Sequence, residues 1–250
     1  MLIFRLFYFL YAAVIFILLL ILFFPVIVVG SMWGKIKGGN FIYLFCSAIS
    51  HIWLTMIGIR TKRIFEVPHD KHRSYIFVMN HISYLDAVMV VNILRQPVRT
   101  LGKIEMAKIP LFGYIYKKVV VTVDRSCPDN RAQSVAQLKD ILHQEISVVL
   151  FPEGTFNETG KVLSHFYNGA FRIAIETQTP IKPVLLLDTY DRMHFKHPMT
   201  LKPGICRSVF LEEISVEGYT MDDLEKLKTK VYQTMEQKLI EYHASWIEKN

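Results

Sequence analysis

The 250 residues carry 29 Lys and Arg against 22 Asp and Glu, a formal net charge of +7, and 52% of them are apolar. That length suits one medium domain with an attached anchor and is enough to bury a sizeable core. Cys46, Cys127 and Cys206 are isolated and show no CxxC spacing, which excludes a disulfide scaffold and a cysteine-built metal site.

Residues 6 to 34 contain no Asp, Glu, Lys or Arg, and Leu6 to Val29 is nearly all Leu, Ile, Phe, Val, Ala and Tyr. The stretch exceeds the roughly 20 residues that cross the hydrocarbon layer. It is longer than the apolar core of a secretory signal, about 7 to 15 residues, and no small-x-small cleavage site follows, so it predicts a retained membrane helix. A second uncharged run, Gly38 to Ile59, carries Tyr43 and Trp53, residues favoured near headgroups. Arg5, Lys35, Lys37 and Arg60 flank the two runs on every side, with no acid among residues 1 to 60. Two full spans would place Lys35 and Lys37 across the membrane from Arg60. A hairpin dipping in from one face, or one span plus an interfacial helix, avoids that conflict. Each nearby Lys or Arg is then worth about 1 kcal/mol against anionic lipid, so the positive charge points to a membrane surface and not to nucleic acid.

From about Thr61 the composition becomes that of a soluble domain, dividing the chain into an anchor, 1–60, and a domain, 61–250. Ser74 to Met79 reads as a short buried strand, and Asp86 to Leu94 as an apolar helix. Val98 to Lys103 and Val119 to Val123 are strand candidates. Arg131 to His143 has Val135, Leu138 and Leu142 at helical spacing, and Ile146 to Phe151 is a β run that stops at Pro152 and Gly154. A helix over Gly169 to Thr177 precedes a strand over Ile181 to Leu187, in which Pro183 suggests an edge or irregular position. Cys206 to Val216 adds a strand, and Asp222 to Trp246 is a long amphipathic helix expected to dock on the domain, with a partner-binding face as the alternative. Strands alternating with helices predict an α/β layered domain.

Two short motifs carry the chemistry: Asn80-His81-Ile82-Ser83-Tyr84-Leu85-Asp86, then Phe151-Pro152-Glu153-Gly154-Thr155. Five residues is about 140° around a helix axis, so His81 and Asp86 cannot share a helical face. They meet if His81 sits in the turn after the strand and Asp86 in the first turn of the helix, its carboxylate reaching back to one imidazole nitrogen. The other nitrogen is then held as a base. In the second motif a Pro-Glu-Gly turn at a strand end exposes a carboxylate and a glycine whose N–H can approach a ligand.

In these blocks the chain resembles the glycerolipid acyltransferases of the 1-acylglycerol-3-phosphate O-acyltransferase type. His81 and Asp86 match the HX4D block, and Gly113 with Val123-Asp124-Arg125 the second. Phe151 to Thr155 is the FPEGT block, and Pro180-Ile181-Lys182-Pro183-Val184 resembles the fourth. The resemblance implies a layered α/β domain with a mixed central sheet flanked by helices, preceded by a two-helix membrane anchor. It implies that His81, oriented by Asp86, takes the proton from a lysolipid hydroxyl as that oxygen attacks an acyl thioester. Arg125 and Lys103 are the implied phosphate ligands, and Glu153, Gly154 and Thr155 line the acceptor site, with amides near Gly154 as oxyanion donors. The expected co-substrate is acyl-CoA or acyl carrier protein, with no cofactor or metal. The expected setting is the inner or cytoplasmic membrane, with the catalytic domain on the cytoplasmic side. Where the family commonly has Arg-Ser after the threonine, this chain has Phe156-Asn157, so a lysolipid with another head group, such as an amino-acid lipid, stays open. Ser83 as a nucleophile, a lipid hydrolase and a non-catalytic lipid-binding protein are the rival readings.

Overall fold

The computed structural model describes residues 2–124 and 126–247 of the chain. Helix α1, Leu2–Ser31, is the one helix among the described residues long and apolar enough to cross a membrane. Its outward face, with Ile17, Leu18, Ile21 and Leu22, is more than half exposed. Helix α2, Lys37–Met56, runs back along it: Trp53 Nε1 donates to the Ala12 carbonyl at 2.9 Å and the Tyr11 hydroxyl to that of Met56 at 3.0 Å. The expected two-helix arrangement is present; α2, unlike α1, is not among the described helices long and apolar enough to cross a membrane. It lies between α1 and the domain, with Tyr43 donating to the Leu94 carbonyl at 3.1 Å and Arg99 to Asn40 Oδ1 at 2.9 Å.

Seven strands form one sheet: β1 (Ile59–Phe65), β2 (Ile76–Met79), β3 (Val98–Lys103), β4 (Val120–Val123), β5 (Ser147–Leu150), β6 (Ile181–Leu186) and β7 (Gly204–Phe210). Their order is β1-β7-β6-β2-β5-β3-β4, parallel throughout except for β6 against β7, which makes the sheet mixed. The helices are α3 (Leu85–Ile93), α4 (Phe112–Val119), α5 (Pro128–His143), α6 (Gly169–Thr177), α7 (Thr189–Arg192) and α8 (Leu224–Glu241).

Side chains alternate across the sheet, as extended backbone requires. Ile76 and Val78 of β2 join Leu138 of α5, Phe171 of α6 and Leu227, Val231, Met235 and Leu239 of α8 in one core. Phe77 and Met79 join Met89, Val90 and Ile93 of α3 and Trp53 and Leu54 of α2 in the other. β2 and β5 are buried along their whole length, which is why both read as unbroken apolar runs. Adjacent in the sheet, they send their connecting helices to opposite faces and in opposite directions, α3 towards β3 and α6 towards β6. In an open α/β sheet such a switch point opens a crevice at the carboxyl ends of the strands, where ligands bind.

Three expectations are corrected or narrowed. β1 carries no apolar run; its Arg60, Lys62 and Arg63 suit an exposed edge strand, and the compositional boundary near Thr61 falls inside it. Pro183 takes the irregular one of its two expected positions, within a central strand and not at an edge. Its carbonyl accepts from Leu211 at 3.1 Å just beyond the β6–β7 ladder, so its missing N–H faces the place where that pairing ends. α8 docks as expected but stops at Glu241, because His243 takes a left-handed φ of 50° that lets Trp246 turn back, buried, onto the Val162 carbonyl at 3.1 Å.

Docking of α8 is expected to carry stability through its apolar stripe. Leu227→Ala should cost about 2–5 kcal/mol, whereas exposed Lys230→Ala should stay within about 0.5 kcal/mol. Denaturant midpoints of the full chain in detergent micelles measure both.

Candidate active site

The turn after β2 carries His81, and α3 begins at Leu85, so Asp86 falls in the first helical turn. Its carboxylate reaches back over the turn. Asp86 Oδ2 accepts from His81 Nδ1 at 2.9 Å and from the backbone amides of Ile82 and Ser83 at 2.7 and 2.8 Å. An oxygen that accepts from two amides presents lone pairs, not a proton, to the ring. In the neutral ring the proton therefore sits on Nδ1, and Nε2 carries the lone pair. Asp86 is fully buried while the His81 side chain is 22% exposed, and among the described residues Nε2 has no partner. The geometry expected from sequence is the geometry found.

The histidine is held on every side. Its ring stacks on Phe151 at 4.3 Å between centroids and leans on Phe156 at 4.4 Å. Its backbone N–H donates to Glu153 Oε1 at 2.8 Å, and its carbonyl accepts from the Asn157 amide at 2.8 Å. Asn80, the residue before it, bonds both backbone groups of Leu186, locking the end of β2 to β6.

Glu153 follows β5, and the expectation of an exposed carboxylate is corrected. The side chain points inward, its residue is 2% exposed, and its second oxygen accepts from the Ser164 amide at 2.8 Å. Burial pushes this carboxyl above the ordinary glutamate value of 4.5, against the pull of the amides of His81 and Ser164. Gly154 holds φ +72°, and a Cβ there would meet the Tyr167 ring at 2.9 Å, so glycine is required. Its own N–H closes the turn onto the Phe151 carbonyl at 3.0 Å, which removes it as an oxyanion donor. Thr155 is exposed beside it. Ser83 is not placed as a nucleophile: it is fully buried, its hydroxyl donates to the Met193 carbonyl at 2.5 Å and accepts from Leu85 N–H at 3.0 Å.

Lys103 is exposed at the carboxyl end of β3, on the same sheet edge as His81. Two strand spacings separate it from β2, about 10 Å. β4 ends one strand further on, at Val123 opposite Lys103; Arg125 lies outside the described residues. The cysteines are free, and burial pushes the Cys206 thiol up to about 12. Among the described residues no group of three or more His, Cys, Asp or Glu has metal-binding geometry.

Sequence reasoning missed the residues that grip the site from outside the motifs: Asn157, the Ser164 amide and the Met193 carbonyl. No local pattern announces them, since all three act through backbone groups. Phe156 was visible only as a departure from a familiar pattern, and it proves to be a wall of the imidazole slot.

A family model described as Acyltransferase matches residues 60–187. The 1-acyl-sn-glycerol-3-phosphate acyltransferases of Salmonella typhimurium and Escherichia coli are each 30% identical over 177 residues, 69% of this chain and 69% of theirs. The mouse 1-acyl-sn-glycerol-3-phosphate acyltransferase alpha is 29% identical over 163 residues, 64% of this chain and 57% of its own length. The crystal structure of the 1-acyl-sn-glycerophosphate acyltransferase PlsC from Thermotoga maritima shares the fold, with a TM-score of 0.73, 21% identity, and coverage of 97% of this chain and 99% of that one.

The raised Glu153 carboxyl has a signed consequence for stability. The folded state holds this proton to higher pH than the unfolded chain does. Its stabilising contribution is therefore full below pH 4.5 and is lost as the pH rises through the raised value. The stability advantage of wild type over Glu153→Gln, read from denaturant midpoints across a pH series, should be largest below pH 4.5 and shrink towards neutrality. An advantage that grows with pH would contradict the burial.

Proposed function

The chain belongs to the acyltransferase family, and from that premise we propose that it moves a fatty acyl group from an acyl thioester to a lysolipid hydroxyl. The proposed acceptor is a 1-acylglycerol-3-phosphate, giving phosphatidate, as the names of its relatives suggest. The observation that carries the proposal is the 2.9 Å contact from His81 Nδ1 to Asp86, which leaves Nε2 free at the ligand edge of the sheet. Nε2 takes the hydroxyl proton as that oxygen attacks the thioester carbon. The C–S bond breaks, and the leaving thiolate takes the proton from the imidazolium that Asp86 has stabilised. Ester and free thiol result, with no acyl-enzyme and no cofactor or metal beyond the thioester, from coenzyme A or acyl carrier protein. General-base help of this kind is worth about 10² to 10⁴ in rate.

Phe151 and Phe156 fix the ring plane and keep water from one side of it. Among the described residues the amides of Thr155 and Phe156 have no partner, and they replace that of Gly154 as the proposed oxyanion donors. Lys103 and Arg125 are the proposed phosphate ligands, and the distance of two strands suits a headgroup that reaches sideways from the hydroxyl. Glu153 serves the acceptor site by holding the His81 backbone. Its oxygens are both taken, so it acts as a positioning residue.

α1 lies against α2 at its start, through Tyr11, and against Tyr114 of α4 at its end, where Ser31 Oγ meets the tyrosine hydroxyl at 2.6 Å. A helix tied down near both ends suits immersion from one face better than a perpendicular span, and we place the domain on the cytoplasmic side.

One observation favours a second acceptor class. Phe156 stands against the imidazole where the family commonly has arginine, so one cation is absent beside the reacting centre. A lysolipid with a less anionic head group fits that wall.

Purified protein given labelled acyl-CoA or acyl carrier protein with a panel of lysolipids decides between these readings. Acylated lysophosphatidate is expected; free fatty acid without acylated acceptor would identify a hydrolase, and no transfer to any lysolipid would reject the assignment. His81→Ala should lose about 10² to 10⁴ in turnover with vesicle association intact, as a non-catalytic lipid binder would not. Ser83→Ala should stay within roughly tenfold, the worth of one buried hydrogen bond.

A further inference from the structure

Between β3 and α4 the chain runs Ile104-Glu105-Met106-Ala107-Lys108-Ile109-Pro110-Leu111-Phe112. A short 3-10 helix over Ile104–Lys108 turns the apolar side chains outward. Met106 is 39% exposed, Ile109 44% and Leu111 38%, which is unusual for three large apolar residues within six positions. Leu111 holds φ +59°, a left-handed conformation unfavourable for a residue with a Cβ. Beside it, Gly113 packs so closely that a Cβ would lie 2.3 Å from the Ala107 carbonyl oxygen. The protruding tip is built, not frayed.

The tip is continuous with α1. Ile109 and Leu111 face Phe16, Ile17 and Leu20 across a cleft of about 280 Å³ whose lining residues are all apolar. Further along, Phe24 meets the Tyr114 ring edge-on at 5.5 Å, and Lys118 Nζ lies 5.2 Å over the same ring. Met32 and Trp33, 79% and 56% exposed, extend the apolar surface at the α1–α2 turn. Lys103, Lys108 and Lys117 are exposed around it, with Lys35 and Lys37 next to the turn and Glu105 the one acid between positions 103 and 119. Apolar tips flanked along the chain by exposed lysines, with tyrosine and tryptophan nearby, complement a bilayer: tails take the apolar groups, and anionic headgroups take the ammoniums.

We infer that the segment 104–114 of the catalytic domain itself enters an anionic lipid bilayer beside α1, so that lipid chains fill the cleft between them. The inference rests on the membrane reading proposed above and adds to it a second immersed element, carried by the domain. Lys103 then stands at headgroup level, and the carboxyl edge of the sheet opens onto the bilayer surface, where a lysolipid need not leave the membrane to reach His81.

The test places one environment-sensitive fluorophore per protein on the full chain, in a background with Cys46, Cys127 and Cys206 replaced. The labelled variants are Ile109→Cys, Leu18→Cys on the outward face of α1, and Lys230→Cys on α8. Each is mixed with vesicles of phosphatidylcholine and phosphatidylglycerol carrying nitroxide-labelled acyl chains, and iodide serves as the aqueous quencher. Position 109 should be quenched by the nitroxide at least half as deeply as position 18, and position 230 by iodide alone. Quenching at 18 with position 109 open to iodide, or shielded from both quenchers as by a second copy of the chain, would overturn the inference and leave the membrane reading standing. No nitroxide quenching at 18 or 109 would overturn both.

Discussion

Oδ2 of Asp86 accepts three N–H donors at 2.7 to 2.9 Å, and two of them are backbone amides of the loop that also carries His81. One oxygen therefore does two things at once. It folds the turn between β2 and α3 into a fixed shape, and it decides which imidazole nitrogen keeps its proton. A mobile carboxylate would do neither, and this one is fully buried within the first turn of a helix. The amides neutralise much of the cost of burying it.

The sheet explains why this turn stands where a substrate can reach it. β2 and β5 are neighbours whose chains depart to opposite faces, so the loops after them form the two lips of one crevice. The first lip carries His81 and the second carries Phe151 to Phe156, and they are stitched together by Glu153 to the His81 amide and by Asn157 to the His81 carbonyl. Two buried carboxyls thus serve one histidine in different ways: Asp86 orients the ring, and Glu153 holds the backbone. Neither needs to touch a substrate to matter for the reaction. The aromatic slot completes the constraint, since a ring stacked on Phe151 and flanked by Phe156 has little freedom to turn.

Much of this was legible in the sequence. The angular argument from the five-residue spacing placed His81 in a turn and Asp86 on a helix, because helix geometry leaves no other way for the pair to meet. Apolar runs located β2, β4, β5 and β6 because those strands pack under helices, whereas β3 was a candidate without such a run, since it carries Arg99 and Lys103. What failed to show was edge and context. β1 is an edge strand studded with Arg60, Lys62 and Arg63 and has no apolar run to announce it. Pro183 signalled an edge or an irregular position, and it lies at the end of a ladder within the sheet, which satisfies the physical rule about a missing donor. Glu153 read as an exposed turn residue because a sequence does not reveal that two amides, 72 and 11 positions away, converge on it. The uncharged run at Gly38 to Ile59 forms α2, whose Tyr43, Trp53 and Leu54 pack inward while Leu44, Ile52 and Met56 stay exposed, and composition alone does not separate burial in protein from contact with lipid.

The same ambiguity links the anchor to the site: α1 exposes an apolar face, α2 ties it to the domain, and the ligand edge of the sheet lies on the side where lysines gather. In the proposed reaction this arrangement brings a base with a defined proton position to a lipid alcohol, and everything downstream depends on that proton. Nitrogen-15 NMR of histidine-labelled protein in micelles reads it directly, with His81 assigned by its absence in His81→Ala. The expected spectrum shows a neutral His81 ring with its proton on Nδ1, bonded to Asp86, and Nε2 bare. A ring protonated on Nε2 instead, or unchanged in Asp86→Ala, would contradict the central claim.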